Sequence, residues 1–279
     1  MATGAHARIN GIRQHYLHFP GPGPRVVIVP GIVSPAMLWH HVGSRLSQAH
    51  DCYILDVRGR GLSESGPHLD YGVDACAADL TEFVSTVTGK PTIVIGHSMG
   101  ARIALRAAAT FPGVFQGLVL LDPPTSGPGR RPYPIPKART LKMLQVAQRG
   151  EPLESLLSSG RPWPADLQRL RAEWLPTCDE RAVHVTYDDF HGQDMFADLE
   201  RASEPISLIC AGEGGVVDEA DLEEMHRRCR HLWSFRLPEA GHQMQAENFE
   251  AFCSALVDML NRHRSNSQGD FVETRSGST

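Results

Sequence analysis

Short, wholly apolar runs alternate with longer stretches of helical periodicity along most of the chain. The run 26–29, Val-Val-Ile-Val, has no polar position and is closed by Pro30-Gly31, the pattern of a strand buried on both faces. Residues 52–57, apolar except for Asp56, form a second such run and lead into the glycine-rich Arg58-Gly-Arg-Gly61. Across 74–87, Ala77, Leu80, Val84 and Val87 recur at helical spacing. Strands are then predicted at 92–95 and 118–121, on either side of a helix at 101–111 stopped by Pro112. Alternation of this kind predicts an α/β fold with a mostly parallel central sheet flanked by helices.

The alternation stops after Asp122. Prolines and glycines crowd 123–134, helical patterns follow near 137–149 and 166–174, and the next buried strand is at 206–211. That interval is too long for a bare loop in a compact domain and predicts a helical insertion lying over the sheet. A helix at 219–228, a short strand at 233–237 and a helix at 246–263 resume the pattern. The expected layout is a core made of 1–124 and 204–264, a helical cap over 125–203, and a frayed or disordered polar tail, 265–279.

Composition narrows the function. With 27 basic and 32 acidic residues the chain carries −5, and no basic cluster suited to nucleic acid or an anionic membrane stands out. No stretch approaches the ~20 apolar residues of a membrane span, and residues 1–11 lack the apolar centre of a signal peptide. The 26 glycines and 20 prolines follow no repeat period. Six scattered cysteines without a Cys-x-x-Cys pair, several inside apolar runs, read as buried free thiols of a cytoplasmic protein.

The chemistry centres on Gly96-His97-Ser98-Met99-Gly100, a Gly-x-Ser-x-Gly nucleophile elbow set between a predicted strand and a predicted helix. Such a turn lifts the serine hydroxyl above the sheet, and the helix behind it favours negative charge nearby. Ser98 needs a base. Of the 14 histidines, His242 alone lies on a loop directly after a late strand, in Glu239-Ala-Gly-His242. His226, His231 and His263 read as solvated, and His97 as structural, pointing away from Ser98. The acid is Asp122, at the end of the strand after the elbow helix, with Asp218 and Glu213 as rivals. Backbone N–H groups of Ile32 and Met99 are expected to form the oxyanion hole, Gly31 permitting the turn that aims the first.

Other motifs carry less. Gly59-x-Gly61 lacks the third glycine of a dinucleotide fingerprint, since Glu64 stands there. His184, Asp188 and His191 resemble metal ligands on paper but read as solvated or substrate-facing insertion residues. No cofactor and no metal is expected.

Over residues 10–264 these features resemble the α/β-hydrolase superfamily. Within it, Pro30-Gly-Ile-Val-Ser-Pro35, Leu55-Asp-Val-Arg-Gly-Arg-Gly-Leu-Ser63, the elbow, Asp122-Pro-Pro-Thr-Ser-Gly-Pro-Gly-Arg-Arg131, Ala172-Glu-Trp-Leu-Pro-Thr-Cys178 and Asp188-Asp-Phe-His191 are similar to the deformylases of aerobic nicotinate breakdown. The insertion stretches are the more specific part of the match. The resemblance implies a Ser98, Asp122, His242 triad acting on a small carboxylate-bearing acyl amide, N-formylmaleamate, through a formyl-enzyme. It departs at residues 192–196 and 144–159, in the expected pocket wall. Arg130, Arg131, His191 and Arg102 are candidates to hold the substrate carboxylate. A carboxylesterase or lactonase for small carboxylate-bearing esters, and a non-catalytic receptor on the same fold, are the competing readings.

Overall fold

The computed structural model describes residues 2–89, 91–151 and 163–267. Strands β1 (Thr3–Ile9) and β2 (Ile12–Phe19) form a hairpin. Its two-residue turn is Asn10-Gly11, both at positive φ, the backbone such hairpins favour. β3 (Arg25–Val29), helix α1 (His40–Leu46) and β4 (Asp51–Leu55) follow. α2 (Val73–Phe83) continues through a π-helical turn at Val84–Thr88 into β5 (Thr92–His97), α3 (Met99–Thr110) and β6 (Gly117–Leu121).

Four helices, α4 (Lys137–Gln148), α5 (Ala165–Trp174), α6 (Glu180–Gly192) and α7 (Met195–Arg201), fill the interval before β7 (Ile206–Ala211). The last two were not anticipated, although Asp179 and Asp194 cap their N-termini through side-chain hydrogen bonds. The chain ends through α8 (Glu219–Arg228), β8 (Leu232–Leu237), the short α9 (Met244–Glu247) and α10 (Phe249–Ser267). α10 carries helix across 265–267, the first residues of the expected tail; 268–279 lie outside the described residues, as does 152–159 of the divergent wall segment.

Among the described residues the strands form one eight-stranded sheet, ordered β1-β2-β4-β3-β5-β6-β7-β8. β1, β2 and β4 pair antiparallel, and β4 through β8 pair parallel. Apolar side chains go to both faces in turn, as a strand's period of two requires. Val27 and Val29 join the core under α2, α3 and α7, while Val26 and Ile28 join the one under α1 and α10. The carboxyl ends of the parallel strands open toward α4–α6, the usual position of a binding site in an open α/β sheet.

Candidate active site

Ser98 follows β5 directly and starts α3. Its backbone is held at φ 53°, ψ −117°, a conformation that non-glycine residues adopt at a cost of about 1–3 kcal/mol. Close passage of the chain enforces it. A Cβ on Gly96 would lie 2.5 Å from the Gly100 carbonyl oxygen, and one on Gly100 would lie 1.9 Å from that of Val29. Only glycine lets the helix start press this closely on the end of β3. The same contact brings Gly31 beside the nucleophile: a Cβ there would be 3.5 Å from Ser98 Cβ. As the first residue of α3, Met99 has no intrahelical carbonyl for its N–H.

Asp122 leaves the end of β6 fully buried and at φ 43°. Burial alone would raise its pKa. The His242 hydrogen bond and charge, with backbone N–H groups of Val216 and Ala211, outweigh burial and lower it. His242 sits on the loop after β8, with Nδ1 2.7 Å from Asp122 Oδ2 and Nε2 3.0 Å from Ser98 Oγ. The carboxylate accepts from Nδ1–H, which leaves Nε2 as acceptor for the serine proton. The loop is pinned three ways. His97 Nε2 donates to the His242 carbonyl (2.9 Å), Gly241 N–H donates to Glu247 (2.6 Å), and Glu213 N–H donates to the Ala240 carbonyl (3.0 Å). Burial, then the neighbouring His242, brings the His97 pKa down to about 3, so its ring is neutral. Of the rival acids, Asp218 caps α8 and pairs with Arg131, and Glu213 lines the chamber, but the carboxylate bonded to His242 Nδ1 is that of Asp122.

Above Ser98 lies a chamber of about 570 Å³, bounded by Ser98, His97 and His242 below and by α4–α6 above. The volume suits a small-molecule site. Ile32, Val33, Met143 and Phe190 give it an apolar wall, into which Tyr133, Arg139, Arg171, Glu213 and Glu247 bring polar groups. Among the described residues no group of three His, Cys, Asp or Glu side chains could hold a metal. No described helix is long and apolar enough to cross a membrane.

A family model for the alpha/beta hydrolase fold matches residues 24–249. The chain belongs to that family. It is 43% identical over 258 residues to an N-formylmaleamate deformylase of Pseudomonas putida, covering 92% of this chain and 96% of that one. It is 30% identical over 256 residues to a 2-(acetamidomethylene)succinate hydrolase of Mesorhizobium japonicum, covering 86% and 89%. A crystal structure of the N-formylmaleamic acid deformylase from Pseudomonas putida is similar at a TM-score of 0.86 and 42% identity, covering 91% of this chain and 100% of that one.

In this α/β hydrolase none of the four cationic candidates read from the sequence lines the chamber. Arg102 is buried and donates to four carbonyls, those of Pro124, Ser126, Phe190 and Gln193. Arg130 pairs with Asp194 and Glu224 across the face of Phe196. Arg131 pairs with Asp218 and Asp221. His191 is bonded to Ser126 Oγ, and burial, then the Arg102 charge, brings its pKa down to about 4. His184 and Asp188 pair with each other and with Lys137.

His263 is not solvated as its polar surroundings suggested. It is 1% exposed and bonded to Ser207 Oγ, at 3.1 Å, beneath the sheet. Tyr133, Arg139 and Arg171, among the polar groups that line the chamber, were missed. None of them sits in a motif. The signals on offer were the flanking Pro132 and Pro134 for Tyr133, and a place eight residues past Trp163 for Arg171.

Proposed function

We propose that this α/β hydrolase is a cofactor-free serine hydrolase that deformylates N-formylmaleamate to maleamate and formate. The observation that carries the chemistry is the unbroken chain of short hydrogen bonds from Ser98 Oγ through His242 to the buried Asp122. The choice of substrate is supported by the likeness to the Pseudomonas putida enzyme along nearly the whole of both chains.

Ser98 attacks the formyl carbon while His242 Nε2 takes the hydroxyl proton and Asp122 stabilises the imidazolium. The new oxyanion is held by the N–H groups of Ile32 and Met99, each such donor contributing about 10²–10³-fold in rate. As the C–N bond breaks, the Nε2 proton passes to the departing nitrogen and maleamate leaves. Water, giving its proton to His242, then attacks the formyl ester. Collapse of that intermediate returns the proton to Ser98 and releases formate.

Arg171 anchors the substrate carboxylate. It lines the chamber, its guanidinium lies 4.5 Å from the Trp163 ring centroid, and its one hydrogen bond among the described residues goes to Met143 Sδ. Burial lowers its pKa only to about 10, so it keeps its charge at neutral pH, and no carboxylate among the described residues pairs with it ahead of an incoming one. The helices over 125–203 serve as the cap of the expected layout, carrying this anchor above the core. All six cysteines are free thiols and five are buried, which supports the cytoplasm as the compartment. The test is formate release from N-formylmaleamate beside hydrolysis of p-nitrophenyl acetate. Formate release far ahead of ester turnover is expected; fast ester turnover with no formate would turn the reading to an esterase.

A further inference from the structure

The segment Pro132-Tyr133-Pro134 brings a phenol to the centre of the site, where no step above uses it. The Tyr133 hydroxyl lies 3.4 Å from His242 Nε2. At that length the contact with Nε2 is weak, and catalytic hydrogen bonds often tighten only when substrate is present.

The ring is held firmly. It packs against Tyr187 (6.2 Å between centroids) and His191 (5.1 Å), and Tyr187 is fixed in turn by donating to the Ile135 carbonyl. Prolines on both sides restrict the backbone that carries it. Burial raises its pKa, so the hydroxyl remains a donor throughout the neutral range.

We propose that Tyr133 is a catalytic residue that donates its O–H to the acyl oxygen next to the departing nitrogen. The assignment rests on the deformylase reading. N-formylmaleamate carries a carbonyl on each side of the scissile nitrogen. The formyl oxygen is met by the Ile32 and Met99 N–H groups, and the other acyl oxygen needs its own donor. His242 Nε2 must face the nitrogen to protonate it, and a hydroxyl 3.4 Å from Nε2 reaches the neighbouring carbonyl. When the C–N bond breaks, its electron pair spreads from nitrogen onto that oxygen. Tyr133 stabilises the charge and keeps its own proton, while the proton that nitrogen gains comes from His242.

The experiment compares Tyr133→Phe with wild type on N-formylmaleamate and on p-nitrophenyl formate. The ester forms the same formyl-enzyme, but its leaving group has no acyl oxygen to be stabilised. We expect kcat/KM for the amide to fall by about 100-fold, as for loss of one preorganised donor, and the loss on the ester to be at least about tenfold smaller. Losses of equal size on both substrates, or an amide rate within about twofold of wild type, would overturn the assignment. Absence of formate from the wild-type enzyme would instead overturn the deformylase reading, and this one with it.

Discussion

The floor and the roof of the chamber are built on different principles. Below, Ser98, Asp122 and His242 each follow the carboxyl end of a parallel strand, and two of the three are at positive φ. Their positions come from backbone geometry, from glycines that allow close passage and from N–H groups aimed at Asp122. Above, α6 is tied down by buried arginines that donate to carbonyls. Arg102 links the start of the insertion to the end of α6. Arg60 joins the Ile32 carbonyl to Ala182 and Thr186 on α6. The floor can be shared by hydrolases of many substrates because it needs little beyond the fold. The roof is where selection would arise, because its side chains line the chamber.

The largest effect that would break this contrast belongs to the floor. Ser98→Ala should lower formate release by at least about 10⁴-fold, and Asp122→Asn by about 10³–10⁴-fold, with the fold retained by circular dichroism. A milder loss for Ser98→Ala would remove the serine from the reaction.

The roof should fail through stability. Arg102→Ala strands four carbonyls in a dry place and should cost about 3 kcal/mol in urea unfolding. Arg102→Lys, keeping the charge but fewer donors, should cost less. A loss under about 1 kcal/mol for the alanine variant would mean that α6 is held by apolar packing and Arg60 without help from Arg102.

Selection is the next test. Arg171→Met should raise KM for N-formylmaleamate about tenfold or more, while leaving kcat/KM for an uncharged N-formyl amide nearly unchanged. Equal losses on both substrates would show that Arg171 props up the wall and does not meet the carboxylate.

The smallest effect concerns acid. Burial lowers the pKa of His263, under the floor, and of His191, in the roof, from 6.5 to about 4. Between those values the unfolded chain takes up protons that the folded chain refuses. Stability is therefore full above about pH 6.5 and lost as pH falls toward 4. His263→Gln should flatten that decline by roughly 1–2 kcal/mol between pH 7 and 4.5. His191→Gln should flatten it less, because His191 is only partly buried. The reverse order, read from urea unfolding at the two pH values, would place the acid-sensitive element in the roof.

Much of the floor was legible before any coordinates. Strands buried on both faces announce themselves as unbroken apolar runs, and an elbow between such a run and a helix has few other uses. The first hairpin was open to the same kind of reading and was passed over. Asn10-Gly11 between alternating residues is a strong turn signal, but β1 lies at the sheet edge and its mixed polar composition hid it. Asp122 was preferred over Asp218 and Glu213 on strand-end position. The hydrogen bonds to Val216 and Ala211, which set its charge and orientation, come from residues 94 and 89 positions away.

The roof was legible in outline and misread in detail. Arg102, Arg130 and Arg131 looked like cations available to an anion, because a sequence displays charge and conceals its partners. What occupies Arg102 is a pair of carbonyls 22 and 24 residues on and another pair 88 and 91 residues on. Local sterics and the alternation of apolar residues act over a few positions, so strands, elbow, nucleophile and the order of the elements can be read along the chain. Whether a cation meets a carbonyl, a carboxylate or an open chamber depends on segments that meet only when the helices close over the sheet. That choice, which made Arg102 a fastening and brought Arg171 and Tyr133 to the wall of the chamber, was made by packing.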